Sequence, residues 1–528
     1  MVLLTQELEW GNAKMDKKTF DYNNIPKEKF EFCQQDASIH DKKFDTKPVG
    51  YLKDAMGRFC RNKGSIVAAF IIFFLVLFAI FVPMFCSTNY TRVPSDTTYL
   101  QYAKLLPKWD LFAWAGMDGC SDATLNQDMY YKKLAIAEET GVNPIVKVYR
   151  ENYTDESSTA NITFYDVRID SYTTSGMTYL TLTEKEYKDI QNWQNETGIQ
   201  VIFPAVDTSD LKVQTLKNDA NIWYECTNKG MPKLDKQGNF QPIYKTTGND
   251  GDYNSIRIAG DDGSYKYAVA TGTSEALSYK VRIFLYNYFQ YRYGFEPSFV
   301  FGTNAYGQDI LTRLAGGARF SLVFAVCISI INLFIGAIYG AIEGYYGGVL
   351  DLVMERIKDI LGGIPFIVAT TLFQLHLSRK VGVVPALLFA YVLTGWIGMA
   401  SRVRMQFYRF KNQEYILAAR TLGAKDGRLM FKHIFPNALG TLITGSILVI
   451  PSTFFSESNL TYLGIVNLDT TTRSSIGSML AAGQPLVSSY PHVMLFPAIF
   501  ISLMMISFNL FGNGLRDAFN PSLRGTED

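Results

Sequence analysis

The sequence has few metal-binding residues and no surplus of either charge. Its 528 residues include six cysteines and four histidines, and none of these stands in a C-x-x-C or H-x-x-x-H spacing that would place several ligands on one metal. Lysine and arginine number 50 against 49 aspartates and glutamates, for a net charge of +1. The chain therefore lacks the positive surplus that neutralises a nucleic-acid backbone. We predict no metal site and no nucleic-acid partner.

A nucleotide-binding signature is also missing from the sequence. No G-x-x-x-x-G-K-[ST] phosphate loop occurs in the chain, and this loop cradles the phosphates of ATP in many ATPases. We therefore expect no cofactor in this chain. If the protein uses ATP, the nucleotide and its magnesium must be bound by partner subunits.

What the chain does have is long apolar runs. Hydrophobic residues make up 48% of it and the mean hydropathy is only +0.03, but the apolar residues are bunched. Residues 65–85 contain no charge, and about 20 such residues cross the hydrocarbon of a bilayer. This run follows about 60 polar residues, too many for a cleaved signal peptide, so we expect it to remain as an anchor. The six candidate spans are residues 65–85, 320–341, 359–377, 381–400, 439–455 and 493–511.

Basic residues orient the spans. They cluster before the first span and again between the fourth and fifth. Arg379 and Lys380 lie on the opposite side, a minor conflict that the larger basic loop outweighs. The positive-inside rule therefore places both clusters, and both termini, in the cytoplasm. Residues 1–64 are then a cytoplasmic N-terminal segment, 65–86 the first transmembrane helix, 87–300 an extracellular insertion and 301–528 a five-helix core.

The sequence of the insertion predicts an α/β domain. The stretches ANITFYDVRI and YKYAVATGT have the composition of strands, residues 261–263 favour a hairpin turn, and Thr183 with Glu186 forms a capping box before a helix. Residues 274–294 look like an amphipathic helix whose aromatic residues return the chain to the membrane surface. The alternative is that these aromatic residues fill the core of the domain.

Glycines mark two features of the spans. Gly336, Gly340 and Gly344 recur every four residues, a spacing that leaves one helix face bare for close packing in a bundle. Gly362, Gly363 and Pro365 interrupt the third span, where we expect a kink or an unwound segment that serves either packing or gating.

The basic loop at residues 402–436, called here the coupling loop, predicts two short helices separated near Gly423. Glu414 favours a helix start, and Ala418 with Ala419 forms a smooth, small face. Gly423 and Ala424 permit a turn, and we expect the second helix to end at Pro436, which opens the next span. By itself, the loop is better explained as a solvated basic segment at the headgroups.

A resemblance favours a specific role for this loop. It is similar to the cytoplasmic "EAA" loop of ABC-importer permeases, and residues 296–525 resemble the C-type permease subunit of bacterial dipeptide and oligopeptide ABC importers. The other matching motifs are FGTNAYGQDILTRLAGGARFSL (301–322), GYYGGVLDLVMERIKDILGGIPF (344–366), SESNLTYLGI (456–465), SIGSMLAAG (475–483) and FNLFGNGLRDAFNPSLR (508–524). Three positions depart from the family pattern: Leu417 replaces a glutamate, Asn304 an aspartate and Gln308 an arginine.

The resemblance implies an all-α membrane protein of the type I ABC importer fold in the bacterial cell membrane. It further implies a homologous permease subunit as partner, two ABC ATPase subunits docked on the coupling loop, and an extracellular substrate-binding protein that delivers peptide. The chain would then be a pore-forming subunit and not an enzyme.

Two further sites follow from residue position alone. Glu457 is the ionisable residue nearest the predicted outer mouth, where it is a candidate contact for the amino terminus of a peptide; the alternative is a carboxylate held by backbone amides or hydrated at the interface. Cys120 and Cys226 both fall in the insertion, where oxidation is permitted, and we predict a disulfide between them.

Other functions remain open at this stage. A related permease for nickel, a membrane receptor that senses through the insertion, and a channel are the alternatives. No kinase or cyclase segment supports a receptor, and no ring of charges or carbonyls supports a channel.

Overall fold

The apolar runs fold into helices, and the residues between the first two runs fold into a mixed region of helices and strands. The computed structural model describes residues 51–85, 97–154, 162–209, 211, 213–227, 230–241, 244–245, 256–260, 262–273, 276–469 and 474–519. Within these ranges, five helices are long and apolar enough to cross a membrane: Lys63–Phe85, Ile310–Tyr346, Val383–Phe410, Asp426–Tyr462 and His492–Phe519.

The helices are numbered in chain order. The α-helices are α1 (Tyr51–Arg61), α2 (Lys63–Phe85), α3 (Gln127–Thr140), α4 (Glu184–Thr197), α5 (Gln214–Lys217), α6 (Leu285–Tyr293), α7 (Ile310–Tyr346), α8 (Gly348–Gly362), α9 (Phe366–His376), α10 (Ser378–Val381), α11 (Val383–Gly395), α12 (Ile397–Phe410), α13 (Glu414–Thr421), α14 (Asp426–Arg428), α15 (Phe435–Ile447), α16 (Val449–Tyr462), α17 (Ile476–Gly483) and α18 (His492–Phe519). Short 3-10 helices cover Thr97–Tyr102, Asp110–Ala115 and Gln484–Leu486, and a π-helix covers Leu429–Ile434.

The third predicted span, 359–377, is not one helix. α8 ends at Gly362, Pro365 is extended with φ −60° and ψ 125°, and α9 begins at Phe366. The interruption that the glycines and the proline predict is thereby confirmed, because proline lacks the amide that a continuous helix needs. α9 has 11 residues and is about 16 Å long, short of the roughly 30 Å of a bilayer core. The count of six membrane-spanning helices is therefore not confirmed.

The glycines that recur every four residues lie where α7 crosses α12, so the predicted packing face is confirmed. They are Gly336, Gly340 and Gly344. A Cβ at Gly336 would stand 2.7 Å from the Cβ of Met399, and one at Gly344 would stand 2.8 Å from the carbonyl oxygen of Arg404. A Cβ at Gly340 would collide with the carbonyl oxygen of Ala400. The two helix backbones therefore approach as closely as the missing side chains allow.

The strands all lie between α2 and α6. They are β1 (Cys120–Asn126), β2 (Ile145–Thr154), β3 (Thr163–Asp170), β4 (Met177–Thr183), β5 (Ile202–Phe203), β6 (Val206–Asp207), β7 (Tyr244–Lys245), β8 (Ile256–Ile258), β9 (Ala268–Thr273) and β10 (Ala276–Phe284). They form three small sheets, β1-β3-β2, β4-β10-β5 with β9 also on β10, and β6-β8-β7. Only the β7–β8 pairing is parallel among the described strands. The mixed content agrees with the prediction, but such antiparallel pairing is typical of α+β rather than α/β folds.

Local signals in this region are confirmed. The two stretches predicted as strands contain β3 and β9. Thr183 caps α4 by accepting the backbone amide of Glu186, whose carboxylate accepts the backbone amide of Thr183 in return. Gly263 has φ +79° in a turn that joins Ala259 and Tyr265 across an antiparallel bridge; Asp261 of this predicted turn lies outside the described residues.

The prediction of an amphipathic helix over residues 274–294 is wrong. Residues Ala276–Phe284 form β10, and only Leu285–Tyr293 is helical. β10 pairs with β4 on one side and with β9 and β5 on the other. Val281 and Ile283 are buried there, and β-branched residues fit a pleated surface well. The aromatic Phe289 is also buried, so the alternative in which these aromatics fill the core is the correct one.

The predicted Cys120–Cys226 disulfide is also wrong. The thiol of Cys120 is free and lies 3.6 Å from the carbonyl oxygen of Asp118. Cys226 is buried in a different cluster, beside Trp223 and Tyr224. Sequence position alone placed both thiols in one region, but a disulfide requires Cβ atoms about 4 Å apart.

We expect the thiol of Cys120 to react slowly at neutral pH. Burial, with a smaller contribution from the carboxylates of Asp118 and Asp170, raises the pKa of Cys120 from 9.0 to about 11. The thiolate is the reactive form, so at pH 8 its fraction falls about a hundredfold. In a variant that keeps only Cys120, maleimide labelling should accelerate as the pH rises towards 11. Denatured protein is the control, and fast labelling of the folded protein at pH 7 would contradict the prediction.

Candidate functional site

The coupling loop begins with the short helix α13. Gln413 precedes it in an extended conformation, and Glu414 occupies the first turn, where a carboxylate interacts favourably with the helix dipole. The start predicted at Glu414 is confirmed. A helix of eight residues is marginal by itself, so its contacts with the rest of the chain decide its stability.

Gly423 closes this helix in the manner predicted. Its φ of +84° is left-handed, and its amide donates to the carbonyl of Arg420 while the amide of Ala424 donates to the carbonyl of Ala419. These two bonds constitute a Schellman motif, which satisfies carbonyls at the end of a helix. A Cβ at Gly423 would meet no atom of the described chain within 4 Å, so the glycine is required by backbone conformation and not by space within this subunit.

One side of α13 packs on the helical bundle. Ile416 is completely buried, and Ala419 and Ala424 pack against the same apolar cluster. That cluster also contains Val403 and Phe407 of α12. The predicted small face is therefore divided, because Ala419 and Ala424 face the bundle whereas Ala418 is exposed.

Polar contacts fix the loop to the end of α7. The hydroxyl of Tyr345 donates to Asp426 at 2.6 Å and accepts from Arg420 at 3.2 Å. The ammonium of Lys411 donates to the carbonyl of Gly344 at 3.0 Å, and burial lowers the pKa of Lys411. α13 and the turn after it are therefore held as one rigid unit with α7 and α12.

Two leucines of the loop are exposed. Leu422 is 88% exposed and Leu417 is 45% exposed, and Ala418 lies between them in sequence. Sequence reasoning treated Leu417 as a departure from the family and missed Leu422. No local signal marked Leu422, because its exposure depends on which side of the helix the bundle covers. These two leucines are the candidate contact residues of the loop.

The second helix of the loop does not end at Pro436, contrary to the prediction. α14 continues through the π-helix Leu429–Ile434 into α15, in which Pro436 lies in the first turn. A π-segment widens the helix, and such segments accompany prolines and other interruptions. The loop is therefore continuous with the span Asp426–Tyr462.

Glu457 does not lie open at an outer mouth. It is completely buried in α16, and its carboxylate accepts hydrogen bonds from the hydroxyl of Ser321 at 2.7 Å and from that of Ser475 at 2.8 Å. The Glu457 carboxylate is thus held by hydroxyl groups from α7 and from the N-cap of α17, rather than by backbone amides. In this arrangement the carboxylate joins three helices and is closed to a peptide.

These features define a helical membrane permease with a rigid loop that presents apolar side chains. Residues 332–525 match the family of binding-protein-dependent transport system inner membrane components. Residues 50–107 match the N-terminal transmembrane domain of oligopeptide transport permease C.

Individual relatives agree with the family match. The oligopeptide transport system permease protein OppC of Bacillus subtilis is 42% identical over 224 residues, which are 42% of this chain and 72% of that protein. The dipeptide transport system permease protein DppC of the same organism is 40% identical over 225 residues, 42% of this chain and 69% of its own length. OppC of Escherichia coli is 34% identical over 230 residues, 43% of this chain and 74% of its own length.

The chain therefore belongs to the permease family of binding-protein-dependent transport systems, on the branch of the peptide permeases of the C type. Proteins of this family are transport permeases, so the chain is a multi-pass membrane transport subunit.

Proposed function

We propose that this chain is the membrane-spanning subunit of an ATP-driven importer and forms the path for peptides together with a homologous permease. Two ABC ATPase subunits dock on the coupling loop and supply ATP and magnesium, and an extracellular binding protein delivers the peptide. The relatives named above transport oligopeptides or dipeptides, which favours a peptide over nickel. A receptor or a channel gains no support from them.

The topology proposed with this function has both termini and the coupling loop in the cytoplasm of a bacterial cell. The insertion, residues 87–300, then lies outside. α8 and α9, which are interrupted at Gly363–Pro365, together make the crossing that neither makes alone. The basic residues beside the first span and in the coupling loop support this orientation.

The observation that carries the proposal is the outer side of the coupling loop. Leu422 and Leu417 are exposed on a helix whose other side is anchored by Ile416 and Tyr345. Leucines exposed to water on a rigid helix are unfavourable, and a partner that covers them gains roughly 25 cal/mol for each Å² buried. An ATPase subunit is the partner that this location fits.

The test is copurification of the complex followed by an ATPase assay with peptide-loaded binding protein. We expect the wild type to retain its ATPase subunits and peptide to stimulate hydrolysis. Leu422→Glu should release the ATPase subunits without lowering the thermal stability of the permease, because the side chain is 88% exposed and surface changes usually alter stability by less than about 0.5 kcal/mol.

A matched control is Leu277→Glu, which places the same charge on a 39% exposed leucine of β10. This variant should keep its ATPase subunits. Equal retention in Leu422→Glu would show that the leucine is not at the docking surface, and stimulation by nickel but not by peptide would exclude a peptide substrate.

A further inference from the structure

Five charged residues form a cluster at the junction of α7, α8 and α12, next to the coupling loop. They are Glu343, Asp351, Glu355, Lys358 and Arg404. The carboxylate oxygens of the three acidic members lie within 4.8 Å of one another, and the two cations lie among them. These five residues form a salt-bridge network across three helices, called here the ion-pair cluster.

The contacts of Asp351 in the cluster have strong hydrogen-bond geometry. Arg404 donates to both carboxylate oxygens of Asp351, at 2.6 and 2.8 Å, and the hydroxyl of Tyr408 donates to the same group at 2.6 Å. Lys358, with 2% of its side chain exposed, lies 2.9 Å from a Glu343 oxygen and 2.8 Å from a Glu355 oxygen. Bidentate pairs of this kind fix orientation as well as distance.

Burial makes this cluster costly if it serves stability alone. The side chain of Glu343 is completely buried and that of Asp351 is 13% exposed. Buried ion pairs usually stabilise a fold no better than apolar residues of the same size, but breaking one leaves an uncompensated charge. Such a cluster therefore allows a few discrete arrangements of its helices and resists those between.

The ion-pair cluster connects the coupling loop to the interrupted third span. On one side, Lys411 and Tyr345 bind the coupling loop to the end of α7. On the other side, α8 runs from Gly348 to Gly362 and leads directly into the interruption of the third span. Asp351, Glu355 and Lys358 bind α8 to α7 and α12 through ion pairs, and the hydroxyl of Tyr339 on α7 also donates to the carbonyl of Met354. These contacts together set the position of α8.

We propose that Asp351 and Lys358 are positioning residues that carry movement of the coupling loop into the interrupted third span. The ion-pair cluster moves α8 with α12 as one body, and the break at Gly363–Pro365 lets α9 change its angle. This proposal rests on the proposed function and adds the residues through which the loop acts.

The test compares Asp351→Asn with the wild type in complexes reconstituted into vesicles. Asparagine keeps the size of the side chain but loses the charge and the bidentate pairing. We expect the ATPase subunits to remain bound and ATP hydrolysis to continue while peptide uptake is lost. Exchanging the charges, Asp351→Arg with Arg404→Asp, should restore uptake. Lost uptake with retained ATPase subunits and hydrolysis is the result that a merely structural role would not predict.

A second measurement does not depend on the substrate. Ile367, 53% exposed at the start of α9, is replaced by cysteine in a background without other cysteines. Its labelling rate should change on addition of a non-hydrolysable ATP analogue in the wild type and stay constant in Asp351→Asn. A nucleotide response without peptide uptake in the wild type would contradict the proposed function. It would still support the ion-pair cluster as the connection between the coupling loop and α9.

The matched control is the exposed pair Arg356–Asp359 on the same helix, 3.0 Å apart with side chains 70% and 53% exposed. Asp359→Asn should behave as the wild type. The proposal is overturned if Asp351→Asn transports peptide and keeps the nucleotide response at residue 367. It is also overturned if this variant loses both its ATPase subunits and its thermal stability, and charge exchange restores neither.

Discussion

Replacing Gly340 by leucine should prevent the helical core from folding. A Cβ at this position would meet the carbonyl oxygen of Ala400 and lie 2.8 Å from the Cβ of Val403. Neither atom is the end of a flexible side chain, so α7 and α12 must separate along their whole contact. Overpacking costs about 1–3 kcal/mol where side chains can adjust, and here backbone meets backbone. We expect no folded permease in detergent extracts, measured by size-exclusion chromatography and thermal unfolding.

Alanine substitutions at Gly398 and Gly340 provide a matched comparison of stability. Gly398 lies on α12, and a Cβ there meets nothing within 4 Å in the described chain. Gly398→Ala should stabilise the helix by roughly 0.5–1 kcal/mol, because alanine is the better helix former. Gly340→Ala should instead lower the unfolding temperature. If both variants gain stability, the close packing of α7 on α12 does not hold in the folded protein.

Replacing Gly423 by leucine should abolish transport while the permease stays folded. Leucine in the left-handed conformation costs about 1–2 kcal/mol, so the Schellman closure of α13 opens and Leu422 leaves its position. The φ of +84° at Gly423 is itself the requirement. ATPase retention on detergent-purified complexes is the measurement.

Two further variants separate conformation from charge. Gly423→Asn should retain most activity, because asparagine adopts the left-handed conformation more readily than leucine. Lys425→Ala removes a charge from an exposed side chain and should be mild. Equal ATPase retention and full transport in Gly423→Leu would show that the coupling loop is not the docking element.

Features that depend on neighbouring residues were predictable from the sequence. The charge-free run of the first span, the break at Gly362, Gly363 and Pro365, the capping box at Thr183 and the left-handed glycine at 423 each act within a few residues. For the same reason the first short helix of the coupling loop and the turn at Gly423 were placed correctly. Its exposed Leu422 was missed, since exposure depends on which side of the helix the bundle covers.

Partners far apart in the chain were not predictable. Glu457 is held by Ser321, 136 positions away, and by Ser475, 18 positions away, so nothing local distinguished a buried carboxylate from an exposed one. Arg282, completely buried in β10, donates to Glu139, 143 positions away. An arginine in an alternating strand gives no sign of such a partner.

The sequence by itself determined the membrane class, the positions of the main apolar runs, the interruption of the third span and the transport family. The first three are set by hydrophobicity and by backbone preferences, which act locally, and the family followed from the resemblance of its motifs. Only the tertiary structure decided that residues 276–284 form a strand, that Cys120 forms no disulfide, that Glu457 is buried, and that α8 is bound to α12 by partly buried charges. Each of these depends on long-range packing, in which the free energy of a side chain is fixed by groups that meet it only after the chain has folded.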